Sequence, residues 1–307
     1  MKKYLFGLLA FGLVIASCDK VEDPYPAGVS QGSYDLYPDG DSAHYATNAW
    51  PTFTTNTNAN RNVLIEDYTG HQCTFCAPAA DAAEAIKNSN PGRVVVMAVH
   101  AGPNGVGSFQ VTNSTYSTVF YNNITETLGQ YFGNDWAGSL FTGNPFGAIS
   151  RKDNGNGTPM EGPSTWANSA ASILSTNDHK VNIQAASNFY PSTSGLFLHT
   201  EVDVLDQNLT NELRVVAYLV ENELEAPQKM TDNSTNYTYV HHDILRASID
   251  GTVWGQILDA EHEENGKFYF NYIYEMPSGY DNTNSHLVIF VRDAVTEEVY
   301  QVIKHEF

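Results

Sequence analysis

The sequence predicts an α/β domain followed by an all-β domain, on an exported chain of 307 residues. Three observations carry this expectation. Two continuous apolar runs, 62–68 and 93–100, flank an Ala-rich stretch from Ala77 to Lys87, the pattern of a parallel βαβ unit. From about residue 180 the pattern switches to period two, in about seven short runs divided by Gly, Asn, Asp and Pro. Ahead of both, a short basic segment and the apolar run Tyr4 to Ile15 suit an export signal and are too short to span a bilayer.

The formal net charge is −20, with 16% charged and 42% hydrophobic residues. That is enough apolar material for ordinary cores, and it argues against global disorder. So acidic a chain repels phosphate backbones, which excludes general nucleic-acid binding.

The leader is expected to span 1–17. Ile15-Ala16-Ser17-Cys18 resembles the lipobox of bacterial lipoproteins, which implies cleavage before Cys18 and a lipid on its thiol. Residues 18–60 read as a flexible tether: an acidic, Pro-broken start and a Thr/Asn-rich end without periodicity. Trp50 and Phe53 are expected to dock onto the next domain. Asp41-Ser42-Ala43 resembles the O-glycosylation sequon of Bacteroidetes, making Ser42 a candidate site, although an ordinary polar turn has the same composition.

In the first domain, 61–177, the run ending at Tyr68 reads as a buried strand, Ala77–Lys87 as a helix with Pro78 near its start, and 93–100 as a second parallel strand. A right-handed crossover joins the two strands. Ser114 is a candidate cap for a helix through Tyr116, Phe120, Leu128 and Phe132. A short strand, 146–150, and a helix capped by Ser164 follow. In the second domain, 178–307, the strand count fits an immunoglobulin-like sandwich held by packing alone.

Cys73 and Cys76 are the two cysteines left after Cys18. The loop they would close is so small that it removes little entropy from the unfolded chain, so redox chemistry or local shape is the better reason for it. Strand, Cys-Thr-Phe-Cys, helix and parallel strand is the thioredoxin arrangement. The first cysteine meets the free N–H groups of a helix N-terminus, which stabilise a thiolate, and the second can resolve a mixed disulfide. Asp67, six residues before Cys73, matches the buried acid of thioredoxins. Glu66 competes for that role, since strand alternation lets only one of them face the helix. Pro145 stands where thioredoxins have a cis-proline against the disulfide. His100 and His71 are candidate cations for lowering the Cys73 pKa, each set against the plainer role of a hydrogen-bonded loop histidine. Gln72 replaces the usual Trp and Thr74-Phe75 the usual Gly-Pro, so no reduction potential carries over.

The lipobox, "VLIEDYTGHQCTFC", "GNPFGAISR" and "YVHHDILRASIDG" together resemble the outer membrane protein 28-related lipoproteins of the Bacteroidetes. The resemblance implies an outer-membrane lipoprotein with a thioredoxin-like domain and a β-sandwich. It leaves two functions open. One is a thiol–disulfide oxidoreductase acting on exported proteins or with an envelope redox partner. The other is a non-enzymatic surface protein whose sandwich binds a glycan or protein and whose cysteine pair is a clip. Neither needs an organic cofactor or metal. His241-His242-Asp243 points adjacent residues to opposite strand faces. Asp153–Gly157 lacks the bidentate acid of a calcium loop. Tyr269, Tyr272 and Tyr274 are a candidate ligand platform.

Overall fold

The computed structural model describes residues 29–30, 32–102, 106–136 and 143–307. The leader, Cys18 and the first part of the expected tether lie outside the described residues. Strand β1 (Val29–Ser30), a 3-10 turn (Tyr34–Leu36) and helix α1 (Ser42–Asn48) open the fold. The central unit is β2 (Val63–Thr69), α2 (Cys76–Ser89) and β3 (Val94–His100). It is followed by α3 (Asn123–Leu128), a π-helical continuation over Gly129–Trp136, β4 (Phe146–Ile149), β5 (Met160–Glu161) and α4 (Pro163–Thr176). Then come β6 (Val181–Tyr190), β7 (Gly195–Val204), β8 (Leu213–Glu221), β9 (Leu224–Lys229), β10 (Thr235–His241) and β11 (Ile244–Ser248). The last strands are β12 (Gln256–Ile257), β13 (Glu263–Glu264), β14 (Lys267–Glu275), β15 (Ser285–Asp293) and β16 (Val299–His305).

The expected fold class, an α/β thioredoxin-like domain followed by a separate immunoglobulin-like sandwich, is overturned by the sheet order. Among the described residues a nine-stranded mixed sheet runs β16-β15-β8-β11-β3-β2-β4-β5, with β12 beside β8. Strands from both sides of residue 177 therefore share one sheet. The joint is β11, which pairs parallel with β3 through Ile244 and Ala98 and antiparallel with β8. The Ala98 N–H donates to the Asp243 carbonyl at 2.7 Å. One core follows the sheet across the joint, from Leu64, Tyr68 and Val99 to Val216, Tyr218 and Phe290. On the opposite face, α2 and α4 cover Val63, Ile65 and Val96. Further along, the sheet β1-β14-β7-β6 packs Leu198, Val202 and Phe270 against Ala217, Leu219 and Ile289 of β8 and β15. Period two in the second half is real, but its strands are divided among three sheets, one of them shared with the first half and one the β9–β10 pair.

Residues 32–60 are a packed strap rather than a free tether. Tyr34, Tyr37 and Tyr45 are buried against Phe197 and Ile273. Trp50 sits edge-on to His199 at 4.4 Å, and Phe53 lies 6.3 Å from Tyr269. Asparagines then tie the extended chain down: Asn56 Nδ2 donates to the Ile183 carbonyl and Asn58 Nδ2 to Asn182 Oδ1, while Gln301 Nε2 donates to the Asn60 carbonyl. The Thr/Asn richness read as solvated linker is a ladder of amides supplying backbone-like hydrogen bonds. Asp41 accepts from the Ala43 and His44 N–H groups as N-cap of α1, and Ser42 is the first residue of that helix.

The helix expected from Ser114 starts later, at Asn123, under a reciprocal capping box of Asn122 and Thr125. Tyr116 and Phe120 are drawn away to pack on β9–β11: the Tyr116 hydroxyl lies 2.9 Å from Thr235 Oγ1, and Phe120 is buried with Ala226 and Ile244. Likewise Gly162 rather than Ser164 precedes the last helix, with Pro163 in its first turn.

Candidate functional site

Cys73 and Cys76 form a disulfide with Cα atoms 5.4 Å apart. Helix α2 begins at Cys76 itself, with Phe75 as N-cap and no side chain capping its first turn. The Asn144–Pro145 peptide is cis, and the Asn144 carbonyl oxygen lies 3.4 Å from Cys73 Sγ. Asn144 Nδ2 also donates to the Thr69 carbonyl at 3.0 Å, fixing this loop at the end of β2.

Alternation on β2 sends its two acids to opposite faces. Glu66 accepts from Arg151 Nε and Nη2, both at 2.7 Å, in an ion pair without solvent access. Asp67 goes to the α2 face and lines a small, partly open cavity of about 20 Å3 with Cys76, His100, Gln228, Tyr239, His241 and His242. That volume admits about one water. Asp67 Oδ1 has no hydrogen-bond partner, and burial lifts the carboxyl pKa to about 8. At neutral pH Asp67 carries a proton.

The histidines do not supply the expected positive charge. His100 is buried, stacked on Phe120 at 4.4 Å, with Nδ1 3.0 Å from Gln110 Oε1. Burial, reinforced by His241, holds its pKa well below the usual value. Burial lowers His71 as well. Both rings are neutral at pH 7, so neither can act as a cation toward Cys73. They belong to an aromatic cluster with Tyr116, Phe120 and His241.

What sequence reasoning missed is the cover. Strands β9 and β10 form a two-stranded hairpin that lies over the cysteine loop. Gln228 Nε2 donates to the Cys73 carbonyl at 3.0 Å, and the Lys229 N–H donates to the His71 carbonyl at 2.8 Å. Tyr239 and His241 close the cavity from above, and burial drops the His241 pKa to about 3. As a result Cys73 is 2% exposed and Cys76 1%, so the first cysteine is not the open one that its position ahead of the helix suggested. Around this closed site stand exposed apolar side chains: Phe75 at 64% and Tyr237 at 65%. The one signal that pointed to the hairpin was the histidine pair at 241–242. Both line the cavity, but His241 is buried and His242 is exposed, while Asp243 accepts from Lys87 at 2.7 Å.

The remaining candidates scatter. Tyr272 is core and Tyr274 packs beside it, while Tyr269 faces the other way and donates to Glu201 Oε2, so the three make no single platform. Asp153 Oδ1 accepts from the Gly155 and Gly157 N–H groups in a turn.

The family model described as outer membrane protein Omp28 matches residues 136–307. None of the curated proteins matches the chain. Among solved structures the chain is similar to HBP35 of Porphyromonas gingivalis, at 15% identity over 82% of this chain and 77% of that one, with a TM-score of 0.61. That likeness is one of fold. A domain of the outer membrane lipoprotein Omp28 from Porphyromonas gingivalis matches at 25% identity over 42% of this chain and 89% of its own, with a TM-score of 0.29.

Proposed function

Because the chain belongs to the Omp28 family of outer membrane proteins, we propose that it is a lipid-anchored envelope protein whose Cys73–Cys76 pair exchanges thiols and disulfides with exported polypeptides. The family places it at the outer membrane, and the leader with Cys18 supplies the anchor. The observation that carries the redox reading is Asp67. A buried carboxyl with a free oxygen, lining one cavity with Cys76, does nothing for a static clip and is costly to hold there.

A substrate thiolate attacks Cys73 Sγ and the Cys73–Cys76 bond breaks. Cys76 leaves as a thiolate and takes the Asp67 proton, through one water if need be. A second substrate thiolate then displaces Cys73. The substrate dithiol is oxidised to a disulfide and the pair is reduced to two thiols; in reverse the same steps reduce a substrate disulfide. An envelope dithiol or disulfide resets the pair. Pro145 holds the substrate backbone beside Cys73. The hairpin must lift for any of this to occur, because both sulfurs are sealed beneath it.

That seal also favours a second reading, a surface binding protein in which the disulfide is a static clip. Expressing Cys76→Ala in the native envelope separates the two. Mixed disulfides between Cys73 and exported proteins, identified by mass spectrometry and absent from a Cys73→Ala, Cys76→Ala double variant, are expected. Their absence under oxidising growth leaves the clip. The anchor has its own test: Cys18→Ala should move the protein from the membrane fraction to the soluble one.

A further inference from the structure

On the far side of the molecule a groove of about 690 Å3 separates the strap at Trp50–Phe53 from the acidic loop around β13. That volume is in the range of small-molecule sites. Its floor is a face of the β7–β14 pair, where Tyr269 is the register partner of Glu201 and Asn271 that of His199. The floor is already satisfied. Glu201 accepts from Tyr269 Oη at 2.9 Å and from Lys267 Nζ and Gln184 Nε2 at 2.7 Å each. It is therefore rigid and locally neutral.

The walls are a different matter. Trp50, 37% exposed, together with Phe53 and Tyr269, presents aromatic surface. Glu261, Glu263 and Glu264 stand exposed on the rim, and among the described residues the nearby cation Lys267 is engaged by Glu201. Between these acids His262 is wedged against Phe270, ring centroids 4.4 Å apart, with its side chain 10% exposed. Its Nδ1 lies 2.8 Å from Asp259 Oδ1. Nε2 is buried and has no partner. A buried polar nitrogen left without a partner is unfavourable, and a polar group entering the groove would relieve it.

Every unfilled feature of the groove asks for the same chemistry. Aromatic faces and three exposed carboxylates favour a cation that carries N–H groups on an apolar stem, and the unpartnered imidazole nitrogen lies beside them. We propose that this groove binds an alkyl primary ammonium group. The stem lies along Trp50 and Phe53, and the ammonium sits among Glu261, Glu263, Glu264 and His262. The group has two natural sources, free polyamines and lysine side chains of a basic polypeptide. The groove shares no residue with the cysteine cavity, so this site is independent of the redox reading.

The test is calorimetric titration of the full mature chain with spermidine, with an unstructured Lys-rich peptide and with a neutral oligosaccharide. Because the protein is strongly acidic, a charge-matched control with Glu223→Gln, Glu225→Gln and Glu275→Gln accompanies the groove variant Glu261→Gln, Glu263→Gln, Glu264→Gln. Trp50→Ala tests the aromatic wall without changing charge. We expect binding of spermidine, the peptide or both to weaken tenfold or more in the groove variant and severalfold in Trp50→Ala, and to hold in the control. Binding of spermidine alone identifies polyamines as the source, and binding of the peptide alone identifies protein lysines. Equal weakening in the control, indifference to Trp50→Ala, preference for the oligosaccharide, or no binding of either amine at millimolar concentration overturns the proposal.

Discussion

On one face of β2 the Glu66 carboxylate is gripped by two nitrogens of Arg151, which also lies over the rings of Phe132 and Phe290. Arg292 and Glu297 extend the network, Nη1 to Oε2 at 2.6 Å. On the other face, one residue along, Asp67 has a free oxygen, a water-sized cavity and a cysteine for company. Both acids are buried, and one peptide bond joins them. Only the partner differs. A buried charge with a bidentate partner holds the fold together, whereas a buried acid without one stays protonated and keeps that proton for use.

The largest effect expected from this contrast is on the paired side. Glu66→Ala strands the Arg151 guanidinium in the core, and removal of one partner of a buried pair typically destabilises by about 3–5 kcal/mol. Urea unfolding should show that loss; a change under about 1 kcal/mol would mean that Glu297 alone suffices for Arg151.

On the unpaired side the effect depends on pH. The folded Asp67 pKa is about 8 and its ordinary value is 3.8. Between these values the unfolded chain has lost the proton and the folded chain keeps it. Stability therefore falls as pH rises, by about 1.4 kcal/mol per unit for this group, and levels off above the folded pKa. Asp67→Asn removes this slope. The variant should be more stable than the parent at pH 7, with the gap narrowing toward pH 5. Unfolding curves that stay parallel across that range would show that Asp67 has an ordinary carboxyl pKa.

Reducing the disulfide should matter less, since the loop it closes is so short. The chain-entropy relation limits its contribution to about 2 kcal/mol, readable as the drop in urea midpoint on adding dithiothreitol. A much larger drop would turn the site from chemistry to structure. Smallest of all is the hairpin bond. Gln228→Ala deletes the hydrogen bonds from its Nε2 to the Cys73 and Gly70 carbonyls, the second of them long, at about 0.5–1.5 kcal/mol for a typical bond, and should raise the rate of disulfide reduction severalfold with little change in midpoint.

The local half of this picture was legible in the sequence, and the distant half was not. β2, α2 and β3 announce themselves through apolar runs and an Ala-rich helix, and the facing of Glu66 against Asp67 is a matter of alternation. What joins β3 to β11 is a pairing between Ala98 and Ile244, far apart in the chain. Periodicity says that a segment is a strand and not which strand it meets, so two sheets sharing one core read as two domains. The hairpin escaped for the same reason. Gln228 and Tyr239 carry no motif, and they become site residues only because β9 and β10 fold back over Cys73. His100 misled in another way, because sequence shows a histidine at a strand end but not the Phe120 ring that desolvates it.

The packed strap changes how far this protein can stray from its anchor. A free tether from Cys18 to Asn60 could extend roughly 140–150 Å. β1 is instead paired to β14, Val29 beside Asn271, so the body begins at residue 29. With the lipid proposed for Cys18, the stretch from there to that point reaches at most roughly 40 Å. The protein is thus on a short leash, confined to a shell against the bilayer. Partners that meet it must lie in that shell or themselves project into it.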